Sequence, residues 1–215
     1  MAPASKNEPP PRIPTNEAAQ AILDVAEELA QTRGYNGFSY ADIAAKLGVT
    51  KASLHYHFAS KAELGRALIA RYHEVFGAAL DAIDRRTAPS PEKLQQYVAL
   101  YDGVMRNDRM CLCGMLAAEY TTLPAPMQQG LKQFFDLNER WLTSVLHQGR
   151  KSGSLAFAES ANGRARVVLG ALEGAMLVAR SYGDPDRFHV AAQHVLDDLR
   201  VRRKARSNEK AKRNR

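Results

Sequence analysis

Residues 39–64 read SYADIAAKLGVTKASLHYHFASKAEL. Ser39 with Asp42 three residues on is a capping box that opens a short helix over 40–47, and Gly48 closes it. Thr50 caps a further helix over 51–57, and Ser60 with Glu63 begins a longer one. Helices joined through so short a turn need a small residue at their contact, a turn residue tolerant of left-handed dihedrals, and apolar side chains that lock the pair. Ala44, Gly48, and the group Ile43, Leu47, Val49 and Leu54 supply these in turn. The segment is a candidate helix-turn-helix.

Upstream, Ala18, Ile22, Val25 and Leu29 recur at helical spacing, with Thr15 as the expected cap and Gly34 as the stop. Downstream, Leu64, Leu68, Tyr72, Val75, Ala79 and Ile83 carry the fourth helix to about Arg86. Ser90 and Pro91 read as N-cap and first helical residue of a fifth helix reaching about Arg106. Asp108 is placed to cap a sixth. A seventh follows the Pro124 to Pro126 loop on a face of Leu131, Phe134, Phe135, Trp141, Leu142 and Val145. An eighth covers about Ser160 to Tyr182, and Asp184 with Pro185 starts a ninth carrying Phe188, Ala192, Val195, Leu196 and Leu199. No segment alternates with the period of two that marks strands. The expected fold is all-α, with about nine helices.

Of the 215 residues, 45% are apolar and 25% charged, which is an ordinary composition for a soluble chain. Five of the ten prolines fall in the first fourteen residues, so 1–14 reads as a disordered arm. Nine basic residues and one acid lie between Arg200 and Arg215, a surplus larger than the whole net charge of +7. The basicity is that of this end of the chain, of which 204–215 reads as a basic disordered tail, and does not by itself argue for nucleic-acid binding. Cys111 and Cys113 stand too close together to staple a secreted fold, which fits a reducing compartment. With no signal-type apolar core and no stretch of about 18 apolar residues, a cytoplasmic protein without membrane contact is expected.

The stretch from Gly34 to Ala44, GYNGFSYADIA, with that from Gly48 to Leu64, GVTKASLHYHFASKAEL, closely resembles the N-terminal domain of TetR-family transcriptional regulators. The resemblance covers about a quarter of the chain. It implies a DNA-binding head over 15–61, an effector-binding and dimerisation body over 62–203, and a homodimer formed through the last two helices. It also implies a ligand-responsive regulator, a repressor released from double-stranded operator DNA by a small-molecule effector. Many members carry Tyr immediately after the leucine of the third helix, where this chain has His55.

The third helix carries suitable chemistry. Thr50, Ser53 and Lys51 offer hydroxyls and a cation to base edges, and small Ala52 can approach a thymine methyl. His55, Tyr56 and His57 can donate to phosphates, and Lys61 stands at a helix start, where amides and the dipole also favour an anion. Ser39 and Tyr40 are expected on the same side. His55 and His57 point about 200° apart and cannot share a metal. With no zincin spacing, phosphate loop or nucleophile elbow, no catalytic residues, metal or cofactor are expected.

In the body, Tyr101, Met105, Met115, Phe134, Asn138 and Trp141 are candidates to line an effector cavity, the polar amide of Asn138 needing a partner from protein or ligand. Residues 110–123, MCLCGMLAAEYTTL, resemble a segment of one branch of these regulators, some of which respond to electrophiles. With Asp108 as N-cap, Cys111 would occupy a first helical turn near Arg106 and Arg109, which lowers a thiol pKa. Cys111 and Cys113 are therefore the candidates for an alternative, thiol-based mode of sensing. A further alternative is a helical effector-binding dimer that has lost DNA binding. For the dimer interface the small-residue stripe Gly170, Gly174, Ala175 and Ala179 is expected, with Leu172, Met176, Phe188, Val195 and Leu199.

Overall fold

The computed structural model describes residues 16–86 and 88–200. Thr15, the proline-rich arm and the basic tail lie outside the described residues. Nine α-helices occur among them: α1 (Glu17–Arg33), α2 (Tyr40–Leu47), α3 (Lys51–His57), α4 (Lys61–Arg85), α5 (Ser90–Met105), α6 (Leu112–Ala118), α7 (Ala125–Lys151), α8 (Ala161–Tyr182) and α9 (Asp186–Asp197). A 3₁₀ turn, Tyr120–Thr122, links α6 to α7. The all-α expectation holds, and no helix among the described residues is long and apolar enough to cross a membrane.

The observed cap of α1 is Asn16, whose side chain accepts the Ala19 amide at 2.7 Å. The α5 boundary moves by one residue: Pro89 is the N-cap, and Pro91 sits in the first turn, where a missing amide donor costs nothing. The correction at α6 is larger. Asp108 caps nothing; it adopts a left-handed φ of 54° in a connection that carries the Met110 amide to the Gln31 carbonyl, 3.3 Å away. Helix α6 begins three residues later, with Cys111 as its N-cap and the thiol accepting from the Gly114 amide at 3.5 Å.

Ile22, Ala26, Leu29, Ile43, Leu54 and Phe58 are buried in the head formed by α1 to α3. In the body α7 packs along α8, α8 along α9, and α4 along α7. Besides the continuous α4 and the Met110 to Gln31 bond, the side chains of Arg180 and Glu119 tie body to head. Arg180, near the end of α8, donates to the Gln31 carbonyl at 3.0 Å and also to that of Thr32, the last turn of α1. Glu119, which closes α6, accepts the Tyr35 amide at 2.6 Å and the Asn36 amide at 3.3 Å. The seven-residue α6 is thus tied to the head on both flanks, through Met110 before it and Glu119 after it.

Candidate nucleic-acid interface and ligand cavity

The turn between α2 and α3 is built as its residues demand. The Ser39 hydroxyl and amide both donate to Asp42 Oδ2, at 2.6 and 2.7 Å, and these hydrogen bonds hold the Asp42 carboxyl below its ordinary pKa. Gly48 takes a left-handed φ of 67°, which any other L-residue would adopt only with strain. Ile43, Ala44 and Leu54 are buried between the helices. Val49, expected to lock them, is instead 42% exposed, because the two-residue turn carries it outward. Thr50 caps α3 by accepting the Ser53 amide at 3.2 Å.

Helix α3 buries a single side chain, Leu54. Lys51, Ala52, Ser53, His55 and Tyr56 are exposed and His57 half-buried, with Tyr56 86% accessible. A seven-residue helix that presents a large aromatic to solvent gains little from its own packing, so that face is available for a partner. His55 donates from Nδ1 to the Ala59 carbonyl at 3.1 Å, and its ring lies 4.7 Å from that of Tyr40.

Two expected contacts are corrected. Tyr40 is buried and its hydroxyl donates to the Phe58 carbonyl at 2.8 Å, with burial pushing its pKa up to about 12. It locks α2 to the end of α3 instead of facing outward. Lys61 is turned inward: its ammonium donates to the carbonyls of Tyr35 and Phe38 and lies about 4.4 Å over the Tyr35 ring. Desolvation draws its pKa down. Lys61→Met should therefore destabilise the head by about 1.5–3 kcal/mol, the value of a hydrogen bond to a charged group. The salt dependence of DNA binding should stay as it is; urea denaturation and a salt titration read the two effects separately.

The body holds an aromatic interior. Asn138 is fully buried and finds its partners in the protein: the Tyr97 hydroxyl donates to Oδ1 at 2.8 Å, and Nδ2 donates to the Phe134 carbonyl at 2.9 Å. Tyr97 and Tyr101 hydroxyls are 3.0 Å apart. Trp141 stacks on Tyr97 and donates to Asp84 at 3.0 Å. Met105 borders a cavity of about 140 Å³ with Met110, Arg109 and Pro185. Half-buried Met115 lies under the Arg180 guanidinium, 3.5 Å from it.

Both cysteines are free and buried. Burial first, and the Glu173 carboxyl next, push the Cys111 thiol well above its ordinary pKa, and burial does the same to Cys113. The expected depression is overturned. Cys111 is an N-cap at the centre of the body, while Arg106 turns away to pair with Asp102 at 2.9 Å.

The interface expectation divides. Leu172, Met176, Ala179, Phe188 and Leu199 are buried within the chain itself and belong to its own core. Gly170 and Gly174 are exposed, Ala175 and Val195 half-buried. Beside them stand exposed apolar residues that sequence periodicity did not single out: Val167, Val178 and Val190, each more than half accessible. Val178 and Val190 border a groove of about 650 Å³ between α8 and α9 that also has Ala171, Gly174 and Ala175 in its lining, with Asp184, Asp186 and Arg187 at its charged end.

Sequence reasoning also missed Tyr97 and Glu173. The signal for Glu173 was present, since it is the one charged residue between Val167 and Ala179.

These features define a helix-turn-helix head on an all-helical body. Residues 22–68 match the family described as bacterial regulatory proteins, tetR family, and residues 90–195 match the tetracyclin repressor-like C-terminal domain. The chain belongs to the TetR family of DNA-binding transcriptional regulators. A TetR-family regulator from Agrobacterium tumefaciens superimposes with a TM-score of 0.83 at 31% identity, over 86% of this chain and 98% of that one. One from Legionella pneumophila does so with a TM-score of 0.78 at 33% identity, over the same shares. The transcriptional regulator AcuR of Cereibacter sphaeroides is 27% identical over 80% of each chain.

Proposed function

We propose that this chain is a ligand-responsive repressor and not an enzyme, acting as a homodimer that sets its two α3 helices in successive major grooves of operator DNA. The observation that carries this reading is the outward presentation of α3, where every residue but Leu54 is available in whole or part. Thr50, Lys51, Ala52 and Ser53 then face base edges from the first turn, with Tyr56, His57 and His55 toward the backbone. Ser39 flanks them at the start of α2. Two similar proteins, DhaR of Mycobacterium sp. and BepR of Brucella suis biovar 1, are named repressors, and FasR of Mycolicibacterium smegmatis is named an activator. The effector sits among α5 to α8, and its arrival is passed to the head through α6, Glu119 and Arg180. The burial of both thiols favours a non-covalent signal over thiol chemistry.

A gel shift against the DNA flanking its own coding region tests the reading. The wild type should bind, and deletion of its gene should raise transcription of the adjoining one. Tyr56→Ala should lose about tenfold or more in affinity with stability changed by under about 0.5 kcal/mol, since the ring is exposed. A Tyr56→Ala protein that binds as the wild type does removes Tyr56 from the interface. Failure of the wild type to bind any flanking segment would leave a helical dimer without DNA binding.

A further inference from the structure

Between α6, α7 and α8 runs a groove of about 460 Å³ whose walls include Ala117, Phe135, Leu169 and Leu177 and whose base includes Gly114 and Glu173. Glu173 is its anomaly. Oε1 is buried and accepts no hydrogen bond from the protein. The other oxygen passes over Gly114 so closely that a Cβ there would lie 2.2 Å from it, so any larger residue beneath would displace the carboxyl. The groups that do face the carboxyl, the Cys111 thiol and the Tyr101 hydroxyl, are neutral, and no Lys or Arg is among the groups that set its ionisation. The rim acid Glu139, by contrast, is matched by Arg166 at 3.2 Å.

A carboxyl drawn into an apolar interior without a cation is costly to keep, and a chain that retains one has an unmet charge to offer a ligand. The ring of Phe135 in the groove wall favours a cation further. We propose that the effector is a small organic cation, an ammonium on an apolar body, seated in this groove with its charge on Glu173. The inference rests on the effector-responsive reading above and specifies the ligand class. Seating such a ligand on the carboxyl requires α6 to ease away at Gly114, against which Oε2 lies. The other end of α6 is Glu119, which holds the Tyr35 and Asn36 amides of the head, so the same displacement reaches the DNA-binding domain. Burial pushes the pKa of Glu173 up to about 7, so the free site is poised to ionise when a cation arrives.

The test uses the full-length protein without DNA, titrated in a calorimeter with a series of aryl- and alkylammonium ions led by benzylammonium, and with benzyl alcohol and benzoate as neutral and anionic counterparts. Ammonium ions should bind and the counterparts should bind on the order of tenfold more weakly or not at all. Glu173→Gln should cost the ammonium ions on the order of 30-fold, the value of a charge-assisted hydrogen bond, and leave benzyl alcohol unchanged. Gly114→Ala, which drives a methyl into the carboxyl, should weaken the same ions with helicity retained, and it serves should the glutamine variant fail to fold. Binding of benzoate or benzyl alcohol equal to that of the cations, undiminished cation affinity in both variants, or no binding by any ammonium ion overturns the proposal. Operator release by anionic or neutral compounds alone would overturn it while leaving the effector reading standing. Cation binding by a protein that never engages DNA would do the reverse.

Discussion

Val178→Asp is expected to yield a folded monomer whose operator affinity falls on the order of 100-fold, because one head on one half-site loses the avidity of two held in register. Val178 is 52% exposed on α8 beside Val190 and Gly174, so an aspartate there costs the isolated chain little. In the proposed dimer the same carboxylate would be buried against apolar surface, a cost that Arg187 of the same groove, already paired with Asp184, offsets only in part. Gly174→Leu supplies an independent version. A Cβ at Gly174 meets nothing within 4 Å in this chain, and leucine is the better helix former by about 0.8 kcal/mol. Protomer stability should therefore rise slightly while a closely packed partner helix is pushed off. Sedimentation of both variants decides the matter: two intact dimers would move the interface away from this groove.

The second large effect is a gain. Glu173→Gln should stabilise the protein at pH 8 by about 2 kcal/mol and flatten its stability between pH 4.5 and 7. Burial raises the Glu173 pKa from 4.5 to about 7. Below 4.5 the carboxyl is protonated folded and unfolded alike, and it contributes no pH dependence. Between 4.5 and 7 the unfolded chain has released a proton that the folded chain still holds, so rising pH favours unfolding. Above 7 the full penalty of about 3 kcal/mol is in place. Glutamine removes the charge but keeps an amide where one oxygen already lacks a partner, hence the smaller gain. Urea midpoints at pH 5 and pH 8 check it; parallel wild-type and variant profiles would show that Glu173 does not carry the slope. A residue whose removal stabilises the fold is one retained for function.

The helix-turn-helix was legible because its determinants are local. Ser39 with Asp42, Gly48, Thr50, and Ser60 with Glu63 act over three or four residues, and each marks a helix end as expected. Helix α6 starts at a Cys111 cap and not at Asp108 because the connection before it is set by a distant bond, from the Met110 amide to Gln31 on α1.

The same division holds for the sites. The sequence by itself determined the helices, the order of head and body, and the outward chemistry of α3, since a period of 3.6 and a set of caps are written in consecutive residues. Tertiary structure alone decided which way long side chains turn and which of two apolar faces is spent on the chain's own core. Lys61 was a free cation in the sequence and became a bridge to Tyr35 and Phe38 once the 34–38 loop folded over it. Leu172 and Met176 went inward and Val178 outward on one helix that is apolar nearly all round. Cys111 had arginines for neighbours in the chain and Tyr72, Glu173 and burial for neighbours in space. Desolvation and charge act through space at a few ångströms, and no reading of adjacent residues contains those distances.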